Sequence, residues 1–314
     1  MNWITRWKKI GIKVKQIFKK QPTNQEEADW KSCPQCKKIS YKPDLFNNSY
    51  ICECSFHFDL PPKLRMESLF DAEFKIIEPS DDINPDPLNF EVKDGAREGY
   101  KYIDKIKKYR KVTGQKTALL CALGKISNLN AVVVCFNPKF GAGRFGPAEN
   151  EHFLKAANFA VEEKVDIWVV IYQSSGIDVH TGVTGLYGMS KSIIAMNEIK
   201  KAKIPTFAIA ARATAGGTYA SSFFMHDFII IESKCVENLL FSGKRVTANI
   251  LKGTDQIPDD FGRADGVMKS GLADITLESR KELKDTITKL ANIILKKEEL
   301  EISNADEDSE NLKK

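Results

Sequence analysis

β-rich and helical segments alternate along the sequence between residues 117 and 231. Two β-rich runs, TALLCAL (117–123) and NAVVVCF (130–136), are joined by the short polar linker GKISNLN, which predicts a β-hairpin. Three further β-rich runs follow: DIWVVIY (166–172), TFAIAA (206–211) and DFIII (227–231). Helical periodicity fills the intervals at 151–163 and 183–202. Strands that alternate with helices in this way predict a mixed α/β domain.

Three glycine-rich stretches lie just after predicted strands: FGAGRFG (140–146), QSSGID (173–178) and TAGGT (214–218). Glycine lets a main-chain N–H group approach a ligand closely. A strand that leads into a helix also directs free amides and the positive end of the helix to one point. One such stretch is usually an ordinary turn, but three in one domain indicate a site that binds phosphate or stabilises an oxyanion.

Other catalytic signatures are missing from the sequence. It contains no Walker lysine motif, no G-x-S-x-G nucleophile elbow and no histidine spacing typical of a catalytic triad. We interpret GVMKSG (266–271) as a loop, because it lacks the second methionine of a biotin-carrier motif and a surrounding hairpin.

Four of the seven cysteines crowd into one short N-terminal stretch. Cys33 and Cys36 have the C-x-x-C spacing of a zinc knuckle, whereas Cys52 and Cys54 stand one residue closer together. All four bind one zinc ion if the chain bulges between Cys52 and Cys54. Alternatively, Cys54 and His57 form the second knuckle and Cys52 is spare. Because four protein ligands leave no position open for water, either set predicts one structural Zn²⁺ per chain.

The remaining three cysteines and the lack of long apolar runs indicate the cellular compartment of the protein. Three cysteines stand singly in apolar surroundings, which is typical of reduced thiols, so we expect a cytoplasmic protein. No apolar run approaches the ~20 residues that a membrane span needs.

Residues 1–20 carry seven Lys or Arg and no acid, and the helical spacing of their apolar residues predicts a basic amphipathic helix that packs on the protein or a partner. A weak contact with nucleic acid is a further expectation.

Over nearly its full length the sequence resembles the β subunit of the bacterial-type acetyl-CoA carboxylase carboxyltransferase. The opening MNWI, the cysteine cluster, FGAGRFG, QSSGID, TAGGTYASSFFMHD, FSGKRV and FGRADGVMKSGLADI occur in the order of that family and close to its spacing. The resemblance implies a crotonase/ClpP-like spiral of ββα units preceded by a small zinc ribbon. It divides the chain into a basic amphipathic helical segment (1–29), a zinc-ribbon module (30–58), a connecting region (59–116), a crotonase-like carboxyltransferase domain (117–295) and a disordered acidic tail (296–314).

The resemblance also implies an enzyme that is active only with an α subunit, in an α2β2 assembly served by biotin carboxylase and the biotin carboxyl carrier protein. The reaction moves a carboxyl group from carboxybiotin, a co-substrate on the carrier, to acetyl-CoA and gives malonyl-CoA for fatty acid synthesis. In this family main-chain amides stabilise the thioester enolate. The matching motifs place the enolate-stabilising positions at Ser175, Gly176, Gly216 and Gly217, and the CoA-binding positions at Gly143, Arg144 and Gly146.

Several positions depart from the family pattern. Position 55, where the family has its fourth cysteine, is Ser. The family's Ser-Gly-Gly-Ala-Arg stretch falls on residues 174–178, so Ser175 replaces a glycine and Asp178 replaces an arginine. A positive φ at Ser175 would cost roughly 1–2 kcal/mol. Arg144 is an added charge that either meets a CoA phosphate or is solvated.

These departures have functional consequences. If the Asp178 carboxylate merely repels CoA, Asp178→Ala should leave or raise activity. The substitutions also favour two alternative functions. One is a paralogue that carboxylates or decarboxylates another acyl-CoA. The other is a non-catalytic partner or regulatory protein that uses the zinc ribbon and the basic helix.

Overall fold

The structure is a computed structural model that describes residues 30–92, 99–253 and 257–295. The chain divides between Phe58 and Asp59 into two compact units. The predicted basic helix (1–29) and acidic tail (296–314) lie outside the described residues. None of the helices in the described ranges is both long and apolar enough to cross a bilayer.

The N-terminal unit is a small antiparallel ribbon. Strands β1 (Trp30–Ser32) and β2 (Ile39–Tyr41) pair with each other, and the turn between them carries the first two cysteines. Helix α1 (Lys42–Asn47) follows β2. A short hairpin then brings Ile51 opposite His57 and carries the second cysteine pair at its tip. Because so little apolar surface is available, Cys33, Cys52 and Cys54 take part in the small core of this unit, whereas Cys36 is exposed.

The second unit is a layered α/β domain. Its elements are α2 (Pro62–Leu69), β3 (Lys75–Ile76), β4 (Glu91–Val92), β5 (Tyr100–Lys101), α3 (Tyr102–Thr113), β6 (Leu119–Ile126), β7 (Leu129–Phe136), α4 (Pro147–Glu162), β8 (Ile167–Ser174), α5 (Gly182–Lys201), β9 (Thr206–Ala215), α6 (Gly216–Tyr219), β10 (Phe228–Ile231), β11 (Leu239–Leu240), α7 (Lys244–Ile250), α8 (Ala264–Lys269), β12 (Ile275–Thr276) and α9 (Leu283–Leu295). Within the described residues the main sheet runs in the order β12-β10-β9-β8-β7-β6-β3, with β11 also paired to β9. The pairs β3–β6 and β6–β7 are antiparallel and the others are parallel.

The predicted β-hairpin is confirmed as β6 and β7. Its turn residues, Ser127 and Asn128, have φ values of 47° and 67°. Two consecutive positive φ angles give a type I′ turn, whose twist matches that of the paired strands. The carboxylate of Asp71 accepts hydrogen bonds from both turn amides, each at 3.0 Å, so a side chain from the connecting region secures the hairpin.

The predicted helices at 151–163 and 183–202 are confirmed as α4 and α5. Helix α4 begins four residues earlier than predicted, because Pro147 occupies its first turn and the Glu149 carboxylate accepts from the N–H of Gly146. Strands β7, β8 and β9 are almost wholly buried. The sheet core and the fold class are therefore those that the alternating pattern predicts.

The interpretation of GVMKSG as a loop was wrong, since most of it belongs to α8. Gly266 lies inside this helix, and a Cβ there would collide with the carbonyl oxygen of Asp260. The glycine thus allows close packing of the helix on the preceding loop. A glycine needed for packing cannot be distinguished by sequence alone from one needed for a turn.

Candidate functional site

The three glycine-rich stretches converge at the carboxyl ends of β7, β8 and β9. Gly143 has a φ of 66°, and a Cβ there would collide with the carbonyl oxygen of Gln173 at the end of β8. Gly176 has a φ of 104°, and a Cβ there would lie 2.7 Å from the carbonyl oxygen of Ala215. Each loop therefore touches the next only because glycine stands at the contact.

Main-chain hydrogen bonds join the first loop to the second. Phe145 donates to the carbonyl of Gly176 at 2.9 Å, and Asp178 donates to the carbonyl of Phe145 at 3.1 Å. Ser175 donates to the carbonyl of Ala142, also at 2.9 Å. The two loops thus extend the parallel sheet by a short ladder beyond the ends of β7 and β8.

Most of the amides predicted to face a ligand already have acceptors inside the protein. The N–H of Ser175 donates to the Ala142 carbonyl, and that of Gly176 donates to Ser174 Oγ at 3.1 Å. The N–H of Gly216 donates to the Phe241 carbonyl at 3.1 Å. In the first loop, the N–H of Gly143 donates to the Phe140 carbonyl at 3.0 Å and that of Gly146 donates to Glu149 Oε2 at 3.1 Å. In this structure these N–H groups shape the loops. Gly217 is the exception among the predicted positions.

Of the amides at positions 175–177 and 216–217, those of Ile177 and Gly217 have no acceptor within the part of the chain that the structure describes. Gly217 lies in the first turn of α6, where N–H groups have no partner inside the helix. Both residues are half-buried, and a Cβ at Gly217 would collide with the side chain of Ile177. Sequence reasoning missed Ile177. The ladder explains its geometry, because the carbonyl of Gly176 and the N–H of Asp178, on either side of Ile177, both bond to Phe145.

Ser175 does not carry the backbone strain considered from the sequence. It is absent from the residues with positive φ, so its β-carbon adds no such cost. Its neighbour Ser174 is buried and contributes a polar clamp that the sequence did not reveal. Ser174 Oγ accepts from the Gly176 amide and lies 3.0 Å from Thr218 Oγ1, so one hydroxyl links the loop after β8 to α6.

The two unusual charges, Arg144 and Asp178, form a buried ion pair with each other. Arg144 also pairs with Glu149, with Nη2 3.3 Å from Oε2. The Tyr102 hydroxyl donates to Asp178, and the Arg144 guanidinium lies 5.3 Å from the centre of the Tyr102 ring. The Asp178 carboxylate is therefore neutralised inside the protein, and the Arg144 guanidinium is not solvated.

His180 belongs to the same cluster, although its sequence spacing gave no indication of it. Its Nδ1 lies 2.8 Å from Asp178 Oδ1, and its ring stacks on Tyr102 with centroids 4.2 Å apart. The Tyr100 hydroxyl lies 3.3 Å from its Nε2. Tyr100 and Tyr102 come from the connecting region, so this region helps to build the site.

The four cysteines of the N-terminal unit form a candidate metal centre. Their Sγ atoms all lie within 4.8 Å of one another, and this set does not include His57. Cys33 and Cys54 are 3.6 Å apart, and Cys36 and Cys52 are 3.7 Å apart. A tetrahedral Zn²⁺ with Zn–S bonds of about 2.3 Å requires sulfur atoms about 3.8 Å apart. The arrangement fits such an ion.

Turn geometry explains how a C-x-C pair serves in place of C-x-x-C. In the first knuckle Lys37, with φ 62°, follows Cys36 and donates to the carbonyl of Cys33 at 2.9 Å. In the second knuckle Ser55, with φ 64°, follows Cys54 and donates to the carbonyl of Cys52 at 2.8 Å. Each turn thus closes on a left-handed residue just after its second cysteine. The second turn is one residue shorter.

The thiols of the cluster have perturbed pKa values. Burial alone would raise the pKa of Cys33, but hydrogen bonds from the amides of Cys36 and Gln35 and from neighbouring thiols lower it to about 7. A hydrogen bond from the main-chain amide of Phe56 lowers the pKa of Cys54, but burial and hydrogen bonds with the other three thiols outweigh it and raise this pKa to about 12.

Sequence comparison gives the family relationships. A family profile described as "Carboxyl transferase domain" matches residues 102–312. The chain is 31% identical to the acetyl-coenzyme A carboxylase carboxyl transferase subunit beta of Pelagibacter ubique over 99% of this chain and 97% of that one. It is 30% identical to the subunit of the same name from Hirschia baltica over 94% of this chain and 79% of that one.

Solved structures give the same fold at lower identity. A transcarboxylase 12S structure with hydrolysed methylmalonyl-coenzyme A bound matches with a TM-score of 0.57 at 18% identity, covering 74% of this chain and 41% of that chain. A Pseudomonas malonate decarboxylase hetero-tetramer in complex with malonate matches with a TM-score of 0.55 at 17% identity, covering 76% and 82%. The loops described above therefore stand on a carboxyl transferase fold.

Proposed function

The chain belongs to the carboxyl transferase family, and we propose that it stabilises a thioester enolate with the main-chain amides of Ile177 and Gly217. Its function is that of the β subunit of an acetyl-CoA carboxylase carboxyltransferase, which transfers a carboxyl group to acetyl-CoA. The single observation that carries the amide assignment is that these two N–H groups, alone among those discussed, lack an acceptor in the described residues.

The chemistry requires such donors. Removing a proton from the methyl carbon next to a thioester places negative charge on the thioester oxygen. Fixed N–H groups aimed at that oxygen stabilise the charge, and losing one donor typically costs ~3–4 kcal/mol. Carboxybiotin on the carrier protein supplies the carboxyl group that the carbon then accepts.

Ser175, Gly176 and Gly216 have a different part in this proposal. Their N–H groups hold the loops together, so they position Ile177 and Gly217 and do not bind the substrate through their amides. The Arg144–Asp178 ion pair joins the first loop to the second through side chains. Gly143 and Gly146 allow the first loop to approach the second and to start α4.

We further propose the partners and the metal that the family resemblance implies. An α subunit completes an α2β2 assembly, which works with biotin carboxylase and the biotin carboxyl carrier protein. The four cysteines of the ribbon would hold one structural Zn²⁺, which would fix the two knuckles relative to each other. None of the seven cysteines, which all lie in the described residues, forms a disulfide, and this supports a reducing compartment such as the cytoplasm.

The test of the amide assignment compares two substitutions at Gly217 in the full chain assembled with its α partner. Gly217→Pro removes the N–H group, and proline is tolerated in the first turn of a helix. Gly217→Ala adds the same β-carbon against Ile177 but keeps the N–H. We expect malonyl-CoA formation by the proline variant to be about 100-fold slower than by the alanine variant.

Binding of CoA, measured in parallel, separates catalysis from folding. Both variants should bind CoA with the affinity of the wild type, since the lost donor acts on the enolate. Equal rates for the two variants would contradict the assignment to Gly217. A wild-type assembly that forms no malonyl-CoA would contradict the function itself.

A further inference from the structure

Helix α3 presents a cationic surface that the proposed chemistry does not use. Its sequence carries Lys105, Lys107, Lys108, Arg110 and Lys111 against the single acid Asp104. Lys107, Lys108 and Lys111 are exposed on the side opposite the buried residues Tyr102 and Ile106. We call these three lysines the α3 cationic face.

The fold does not account for this concentration of charge. Within the described residues, Lys107 pairs with Asp104 at 3.2 Å, whereas no ion pair involves Lys108 or Lys111. Lys111 lies three residues after Lys108 and four after Lys107, the spacings at which like charges repel on a helix. Lys111 gains from the helix dipole in the last turn, but Lys107 and Lys108 lie too early to do so. Repulsion among the lysines of the α3 cationic face therefore lowers the stability of the helix.

The position of α3 connects this face to the site. On its buried side, Tyr102 donates to Asp178 in the loop after β8. Further along the helix, the Tyr109 ring lies 5.5 Å from the Phe140 ring, and a Cβ at Gly141 would lie 3.1 Å from Tyr109. The helix thus covers the outer side of the 140–146 loop, next to the converging glycines.

We propose that the α3 cationic face binds the phosphate groups at the nucleotide end of the CoA substrate. CoA carries its acyl group at one end of a long pantetheine arm and its phosphates at the other, so the two ends need separate binding surfaces. The Arg144 guanidinium is buried against carboxylates, and the amides of Gly143 and Gly146 are bonded within the protein. The lysines of α3 supply exposed cations on the outer side of the helix that covers the same loop. This inference rests on the proposed function, because it takes an acyl-CoA as the substrate.

The test uses acetyl-CoA and acetyl-pantetheine, which lacks the nucleotide and its phosphates, as alternative carboxyl acceptors for the assembled enzyme. The triple variant Lys107→Gln, Lys108→Gln, Lys111→Gln should raise KM for acetyl-CoA about tenfold and leave kcat unchanged. Its KM for acetyl-pantetheine should equal that of the wild type. The dependence of the acetyl-CoA KM on salt should also become weaker.

A matched control removes the same charge at the other end of the sheet. Lys164, Lys201 and Lys203 are exposed and lie just before β8 or β9, at the amino ends of these strands. Lys201 pairs with Glu198 at 2.7 Å, so the control Lys164→Gln, Lys201→Gln, Lys203→Gln also loses one intrahelical ion pair. This variant should keep the wild-type KM for both acceptors.

The outcomes separate this inference from the proposed function. If the wild-type enzyme carboxylates neither acceptor, the proposed function is wrong. The α3 cationic face is then tested by measuring the equilibrium binding of CoA to the same two triple variants. An unchanged KM or Kd for CoA in the α3 variant overturns the inference, as does an equal change for both acceptors. Loss of binding to an RNA oligonucleotide with CoA binding intact would also overturn it, since the face would then serve a different polyanion.

Discussion

Arg144 and Asp178 form a buried ion pair between the loop after β7 and the loop after β8. Each residue alone departs from the family pattern, one by adding a positive charge and the other by replacing an arginine with a carboxylate. Together they keep one arginine and one carboxylate within the same cluster, which Glu149 and Tyr102 complete. The two substitutions therefore compensate each other, and Asp178 does not oppose an anionic substrate.

This pair makes Asp178→Ala destabilising, because the carboxylate is a partner of Arg144 inside the protein. Removing Asp178 leaves Arg144 with Glu149 as its remaining carboxylate, and removing Arg144 leaves both buried carboxylates without the guanidinium. Breaking a buried pair by removing one partner typically costs about 3–5 kcal/mol. We expect Arg144→Met and Asp178→Ala each to lower the free energy of unfolding by that amount, measured by urea denaturation. The double variant Arg144→Met, Asp178→Ala should lose clearly less than the sum of the two single changes.

An exposed ion pair provides the control for this cycle. Lys201 and Glu198 are 2.7 Å apart on the surface of α5, and Lys201→Met should cost less than about 0.5 kcal/mol. If the two buried single variants are as stable as this control, or if their effects simply add, then the pair does not hold the loops together.

Much of the fold could be predicted from the sequence because the local pattern and the tertiary structure agree. The β-rich runs have the length of buried strands, and Gly114 ends α3 in the left-handed conformation with a φ of 68°. The short strand β3 and helix α2 were missed, since their few apolar residues form no periodic pattern. Tertiary contacts stabilise them: β3 pairs with the edge strand β6, and Met66 and Leu69 of α2 are buried against the hairpin.

The site could be predicted only in part, for a different reason. Glycine-rich stretches after parallel strands indicated where the loops converge, but not which N–H groups remain available. That depends on partners distant in sequence, such as Phe241 for Gly216. The contribution of Tyr102 was equally hidden, because a tyrosine on an amphipathic helix shows no sign of a hydroxyl that reaches Asp178. Long-range hydrogen bonds leave no local pattern.

Metal analysis tests which residues form the zinc centre. Because the four sulfur atoms lie together and His57 is outside the set, Cys52→Ser and Cys54→Ser should each lose most of the bound zinc. His57→Ala should retain about one zinc ion per chain. The measurement is elemental analysis of the purified full-length protein after dialysis against a weak chelator.

Cys235→Ser is the control for this series, since Cys235 is an exposed thiol outside the cluster. It should keep the wild-type zinc content. Loss of zinc in His57→Ala together with retention in Cys52→Ser would instead support the Cys54–His57 knuckle and exclude the four-cysteine set.

His226 should make the stability of the fold depend on pH. Burial, with a smaller effect from Lys200, lowers the pKa of this histidine from its ordinary 6.5 to about 3. Its stabilising contribution is therefore complete above pH 6.5 and is lost as the pH falls toward 3. Between about pH 7 and about pH 5, the wild type should lose about 2 kcal/mol more than His226→Gln, measured by urea denaturation at each pH. Parallel curves for the two proteins would exclude this role.

The hydroxyl of Ser174 should matter for turnover although it does not face the substrate. It accepts from the Gly176 amide and contacts Thr218 Oγ1, so it fixes the loop that carries Ile177 relative to α6, which carries Gly217. Ser174→Ala leaves a buried N–H without its acceptor, which costs about 1–3 kcal/mol of stability. A displacement of about 1 Å between the two amides can slow the reaction up to ~100-fold. We expect kcat for malonyl-CoA formation to fall toward that limit while KM for acetyl-CoA changes little.

Thr218→Val is the matched variant for Ser174→Ala, because it removes the partner hydroxyl but leaves Ser174 Oγ as the acceptor for Gly176. Its kcat should fall less than that of Ser174→Ala. Ser174→Thr, which keeps a hydroxyl at the same position, should restore part of the rate. A Ser174→Ala enzyme with the wild-type kcat would mean that the two loops hold their relative position without this clamp, and that main-chain contacts alone place Ile177 beside Gly217.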